Sequence, residues 1–66
     1  MKALTRPEVS AKTGLRKSAL YAAIARGDFP APAKAGPRRS IWSEAEVDAW
    51  LKSRFDARAA VHGGAQ

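Results

Sequence analysis

The sequence contains no cysteine. That excludes a disulfide staple and a thiolate metal site, so any core must hold by packing alone. The one histidine, His62, sits near the C-terminus, where it reads as solvated rather than catalytic. No side chains cluster at metal-ligand spacing, so no enzyme, metal or other cofactor is expected. There is no run of about 20 apolar residues, so no membrane span is expected. The start lacks an apolar h-region, so no secretory leader is expected either. A cytoplasmic location follows as the expectation, and the lack of cysteine agrees with it.

Acidic residues are scarce. Six stand against twelve lysines and arginines, for a net charge of +6. Residues 1–42 hold nine bases and two acids, whereas residues 43–66 hold three bases and four acids. The positive field therefore belongs to the first two thirds of the chain, and it calls for a polyanion on that side. Sixty-six residues allow one domain with a marginal core. The candidates for that core are Leu4, Val9, Leu15, Leu20, Ile24, Phe29, Ile41, Trp42, Val47, Trp50, Leu51 and Phe55.

The chain is organised around Thr13 to Gly27, which reads as the turn and second helix of a helix-turn-helix. Gly14 stops the preceding helix, because glycine takes the left-handed conformation without steric cost. An alanine-rich helix follows, with Leu20 and Ile24 on one face, and Gly27 closes it. The opposite face carries Ser18, Tyr21, Ala22 and Ala25, with Arg16 and Lys17 at the N-terminal end. Such a helix is held by its apolar stripe and offers its polar N-terminal groups to a major groove.

The flanking helices announce themselves by their caps. Thr5-Arg6-Pro7-Glu8 has the pattern of a capping box with proline in the first turn, and Leu4 and Val9 have staple spacing. Ser43-Glu44-Ala45-Glu46 repeats the pattern, with Trp42 and Val47 as the staple. Val47, Trp50, Leu51 and Phe55 then recur at helical spacing as a core stripe, to an end near Ala57 to Ala60. Glu44, Glu46 and Asp48 read as first-turn acids that suit the helix dipole. The middle helix departs from this rule. Staple spacing of Leu15 and Leu20 places its N-cap at Arg16, which has no acceptor for the free N–H groups. A DNA phosphate would supply both the acceptor and the opposite charge. The alternative is a helix capped by Ser18 and beginning two residues later.

Between Gly27 and Ser43, Pro30 and Pro32 keep the chain extended. Ala33 to Ala35 and Ser40 to Trp42 read as two hairpin strands around a Gly36-Pro37-Arg38-Arg39 turn. Two arginines at a hairpin tip suit a minor groove or phosphates. The alternative is a pair of solvated charges that keep a strand edge soluble. Residues 59–66 are expected to fray into a disordered tail, leaving residues 1–58 as the domain.

Taken in order, these stretches resemble the AlpA-type phage regulators and the excisionases related to them, a branch of the MerR-like winged helix-turn-helix proteins. The likeness rests on Leu4-Thr5-Arg6-Pro7-Glu8-Val9, Thr13-Gly14-Leu15-Arg16-Lys17-Ser18-Ala19-Leu20-Tyr21, Gly27-Asp28-Phe29-Pro30-Ala31-Pro32, Gly36-Pro37-Arg38-Arg39, Ile41-Trp42 and Glu46-Val47-Asp48-Ala49-Trp50-Leu51. It covers about residues 3–58. It implies a mainly α fold with a small β-hairpin: three helices and a two-stranded wing. The implied partner is double-stranded DNA, with the second helix in the major groove and the wing in the minor groove. The contacts so implied are Arg16, Lys17, Ser18, Tyr21, Arg38 and Arg39, and Ala22 joins them from its place on the exposed helix face. Arg16 departs from the family's usual Ser or Asp cap.

The exposed helix face is poor in base-reading groups, since Ser18 discriminates weakly and Ala22 offers only a methyl contact. A monomer in solution, assembling side by side on DNA and reading its shape, is therefore expected. Adjacent binding with bending fits an excisionase, or recombination directionality factor, with an integrase as its protein partner. The alternatives are an AlpA-like transcription regulator of prophage genes, and a protein-interaction module that uses the same fold.

Overall fold

The computed structural model describes residues 2–63, with side chains through residue 58. Strand β1 spans Ala3–Thr5, helix α1 Arg6–Thr13, helix α2 Lys17–Ala25, strand β2 Ala33–Gly36, strand β3 Arg39–Ser43 and helix α3 Glu44–Gly63. This is a winged helix-turn-helix, mainly helical, with β2 and β3 as the wing. The three strands form one antiparallel sheet in the order β1-β3-β2.

Each boundary has a local cause. The Thr5 hydroxyl accepts from the Glu8 backbone N–H, and the Glu8 carboxylate accepts from the Thr5 N–H at 2.8 Å, closing the capping box of α1. Gly14 ends α1 at φ 77°, and its N–H donates to the Ser10 carbonyl. Thr13 braces the turn: its hydroxyl donates to the Val9 carbonyl and accepts from the Leu15 N–H. Helix α2 ends in a Schellman motif, in which Gly27, at φ 78°, donates to Ile24 and Asp28 donates to Ala23. At α3 the cap is half made. Ser43 Oγ accepts from the Glu46 N–H, but among the described residues the Glu46 carboxylate makes no return bond.

The core is Leu4, Val9, Leu20, Ala23, Phe29, Trp42 and Val47, with Leu15, Ile24, Trp50 and Leu51 packed against it. Trp42 is its hub, fully buried, with its indole N–H donating to the Pro30 carbonyl at 3.0 Å. The Trp50 indole donates to the Asp28 carbonyl, and its ring meets Phe29 edge-on at 4.9 Å. Those two indole bonds hold the proline-rich segment against the helices. Burying each such side chain contributes about 1.5–3 kcal/mol. Lys12 ties α1 to α3 through Glu44 at 3.0 Å and Asp48 at 2.9 Å.

The structure corrects or extends the sequence reading in five places. Ile41, expected in the core, stays outside it, because it neighbours Trp42 on β3 and so points to the other face of the sheet. The lead-in is a strand, because Leu4 and Thr5 pair with Trp42 and Ile41. Phe55 does not join the core but is 56% exposed, since α3 has passed the last element it packs against. Ala23 is buried where only bulkier residues were expected. Helix α3 continues to Gly63, beyond the expected end near Ala57 to Ala60. The expected disordered tail falls partly on residues 64–66, which lie outside the described residues, as does the side chain of His62. Among the described residues, no helix is long and apolar enough to cross a membrane.

Candidate nucleic-acid interface

Helix α2 starts where staple spacing placed it. Arg16 is the N-cap in an extended conformation, and no side chain bonds to the free N–H groups of the first turn. The buried residues of the helix are Leu20 and Ala23, so Arg16, Lys17, Ser18, Tyr21 and Ala22 are left exposed. No acid stands in its first turn. The N-terminus of α2 therefore presents unsatisfied donors, a positive dipole end and two cations to solvent.

The wing stands beside it. The turn residues Pro37 and Arg38 join β2 to β3, with Gly36 opposite Arg39. A bulge at Ala35 shifts the register between Lys34 and Gly36. Bulges sharpen the twist of a ribbon, and this one lies next to the arginine-bearing tip.

A cleft of about 330 Å³ lies between these elements, lined by Thr5, Arg6, Pro7, Lys17, Tyr21, Arg38, Arg39 and Ser40. Three separate segments supply its four cations: Arg6 from α1, Lys17 from α2, and Arg38 with Arg39 from the wing. Thr5, Tyr21 and Ser40 add hydroxyl-bearing residues, and among the described residues no carboxylate lines the cleft. Tyr21 is 38% exposed, and its ring leans on Trp42 at 6.4 Å between centroids. Tyr21 thus joins the cleft wall on a ring that rests against the core.

The ion pairs sort the bases into two sets. Lys12, Arg26 and Lys52 are paired with Glu44 and Asp48, Asp28, and Asp56 respectively. Among the described residues, Arg6, Lys17, Arg38 and Arg39 have no carboxylate partner, although Arg6 donates to Ser10 Oγ at 3.0 Å. The same holds for Arg16, and also for Lys2, Lys34, Arg54 and Arg58, which do not line the cleft. Two groups on α1 depart from their ordinary titration. The Glu8 carboxyl lies below its usual 4.5, because the Thr5 backbone N–H and then the Thr5 hydroxyl favour its charged form. The Lys12 ammonium lies above its usual 10.5, held first by Asp48 and then by Glu44.

Of the seven residues expected to meet DNA, Lys17, Tyr21, Arg38 and Arg39 line this one cleft. Arg16, Ser18 and Ala22 are exposed on α2 and its cap but are not part of the lining. Sequence reasoning missed Arg6, Thr5 and Ser40. Thr5 and Arg6 reach the wing because Thr5 of β1 pairs with Ile41 of β3. Arg6 was readable as a base in the positive part of the chain, but nothing local marked it as facing the hairpin.

The chain matches the family model described as "Prophage CP4-57 regulatory protein (AlpA)" over residues 2–55. It is 36% identical over 52 residues to "Uncharacterized protein ORF88" of Enterobacteria phage P4, a stretch that covers 79% of this chain. The aligned stretch spans 59% of that relative's length. No solved structure matches.

Proposed function

This chain belongs to the AlpA family of prophage regulatory proteins, and from that membership we propose that it binds double-stranded DNA of a mobile element and regulates transcription there. The supporting observation is the cleft between α2 and the wing, where among the described residues four cations stand without an ion pair and no carboxylate joins the lining. In this reading α2 enters the major groove and the Arg38–Arg39 tip tracks the adjacent minor groove. One phosphate run threads the cleft between them. Arg6, Lys17, Arg38 and Arg39 contact it, with the hydroxyls of Tyr21 and Ser40. A further phosphate meets the uncapped N-terminus of α2 at Arg16.

These contacts position the protein, whereas base discrimination falls to Ser18, to the methyl of Ala22 and to groove shape. Specificity from a single copy is accordingly modest. The printed role of the family, regulation, supports taking transcription control as the first reading. The second reading, an excisionase that bends DNA beside an integrase, draws support from the alanine-rich reading face, which favours shape and neighbouring copies over base contacts.

The test is a gel shift with the protein alone on fragments carrying the promoters and attachment sites of its own element, followed by footprinting. Binding to promoters supports regulation, and protection confined to attachment sites supports excision. No shift on any fragment at low salt overturns the DNA reading. Ser18→Ala is expected to change the ranking of fragments without abolishing binding.

A further inference from the structure

Two large apolar side chains are exposed among the described residues, Tyr21 and Phe55. The cleft accounts for Tyr21, whereas Phe55 has no role in the fold. It projects from α3 with the Arg58 guanidinium stacked over its ring at 5.1 Å, an apolar knob with a cationic rim. A complementary hollow exists elsewhere. Alternation along the strands turns Leu4 and Trp42 to the core, and so turns Ala3, Ile41, Ser43 and the paired Ala33 to the outer face of the sheet. On that face lies a largely apolar groove of about 160 Å³, bordered by Glu46. It shares no lining residue with the cationic cleft. Among the described residues the Glu46 carboxylate has neither an ion pair nor a capping bond. Cavities of about 150 Å³ accept a benzene ring.

We propose that Phe55 of one copy seats in the outer sheet groove of the next, with Arg58 against Glu46. Helix geometry decides the kind of contact. Phe55 follows Glu46 by nine residues, about half a turn out of phase and about 13 Å along α3. Knob and groove therefore face opposite ways, and one molecule cannot satisfy both with the same partner. The contact is head to tail and propagates as a row. One ring and its rim bury far less than the roughly 1,200 Å² of a stable interface, so free protein remains largely monomeric. The row forms when a duplex holds copies side by side and raises their effective concentration. Only that alignment rests on the DNA reading.

The test has two arms, and the first needs no DNA. In nuclear magnetic resonance spectra of the free protein taken from micromolar to millimolar concentration, the signals of Ala33, Ile41 and Ser43 shift. Phe55→Ser, at an exposed position, abolishes those shifts. Glu46→Arg abolishes them also, and Arg58→Glu added to it restores them. In the second arm, a fragment with two adjacent sites binds about tenfold or more tightly than one with a single site. Phe55→Ser removes that gain and keeps the single-site affinity. Shifts that are absent at millimolar concentration, or unchanged in Phe55→Ser, overturn the proposal. So does a groove that responds only when an integrase is added, which assigns it to that protein instead.

Discussion

Removing the two wing arginines changes how DNA binding responds to salt, and the size of the change follows from the cleft. Four cations line it. Each phosphate neutralised contributes about −0.9 to the slope of log affinity against log salt. The cleft alone then gives a slope of about −3.6, and Arg38→Ala with Arg39→Ala leaves about −1.8. Between 50 and 200 mM salt the cleft contacts alone cost the parent about 150-fold in affinity and the double variant about 12-fold, and the phosphate at Arg16 adds the same further loss to both. Both side chains are exposed and unpaired, so stability should stay within about 0.5 kcal/mol of the parent. Fluorescence anisotropy on a labelled duplex across a salt series reads the slopes directly. Lys52→Ala is the control, because Lys52 lies on α3 in an ion pair with Asp56. A double variant with the parent slope, or a control that flattens it equally, would refute the assignment of phosphate contacts to the wing.

Three further outcomes follow from the local geometry. Arg16→Ser should stabilise the fold by about 1 kcal/mol, by supplying the missing cap to α2, while weakening DNA binding; thermal melts and anisotropy together read this trade. Gly14→Ala should cost about 1–2 kcal/mol from its left-handed backbone alone, since an added Cβ meets nothing within 4 Å, and the melting temperature should fall by several degrees. The Glu8 carboxyl titrates lower folded than unfolded, so its contribution is present above about pH 4.5 and is lost as pH falls through the folded value. Glu8→Gln should flatten the acid limb of the stability curve there, measured by denaturant melts from pH 6 down to about pH 3.

The parts of the fold that were legible in the sequence are those fixed by neighbours along the chain. The Thr5–Glu8 box, the Gly14 stop and the uncapped start at Arg16 each depend on four or five consecutive residues. So does the hairpin, with its tip at Pro37 and Arg38. The parts that were not legible depend on partners far away in sequence. Ala3–Thr5 is too short to show alternation, and it becomes a strand only by pairing with β3. Arg6 enters the cleft through that same pairing. Phe55 continues the helical stripe faultlessly, but the stripe outruns the core. Nothing in a periodic pattern marks where the neighbouring layer stops. Ala23 hides for the opposite reason, because alanine serves equally as a helix former on the surface and as a spacer inside.

The proposed docking puts the face formed by α2 and the wing on the duplex and keeps α3 clear of it. Titrating the isotopically labelled protein with a bound duplex, residue by residue in nuclear magnetic resonance, tests this most directly. The largest shifts are expected at Lys17, Tyr21, Arg38 and Ser40, with Lys52 and Asp56 unmoved. Shifts concentrated on α3, with Lys17 and Arg38 unchanged, would contradict it.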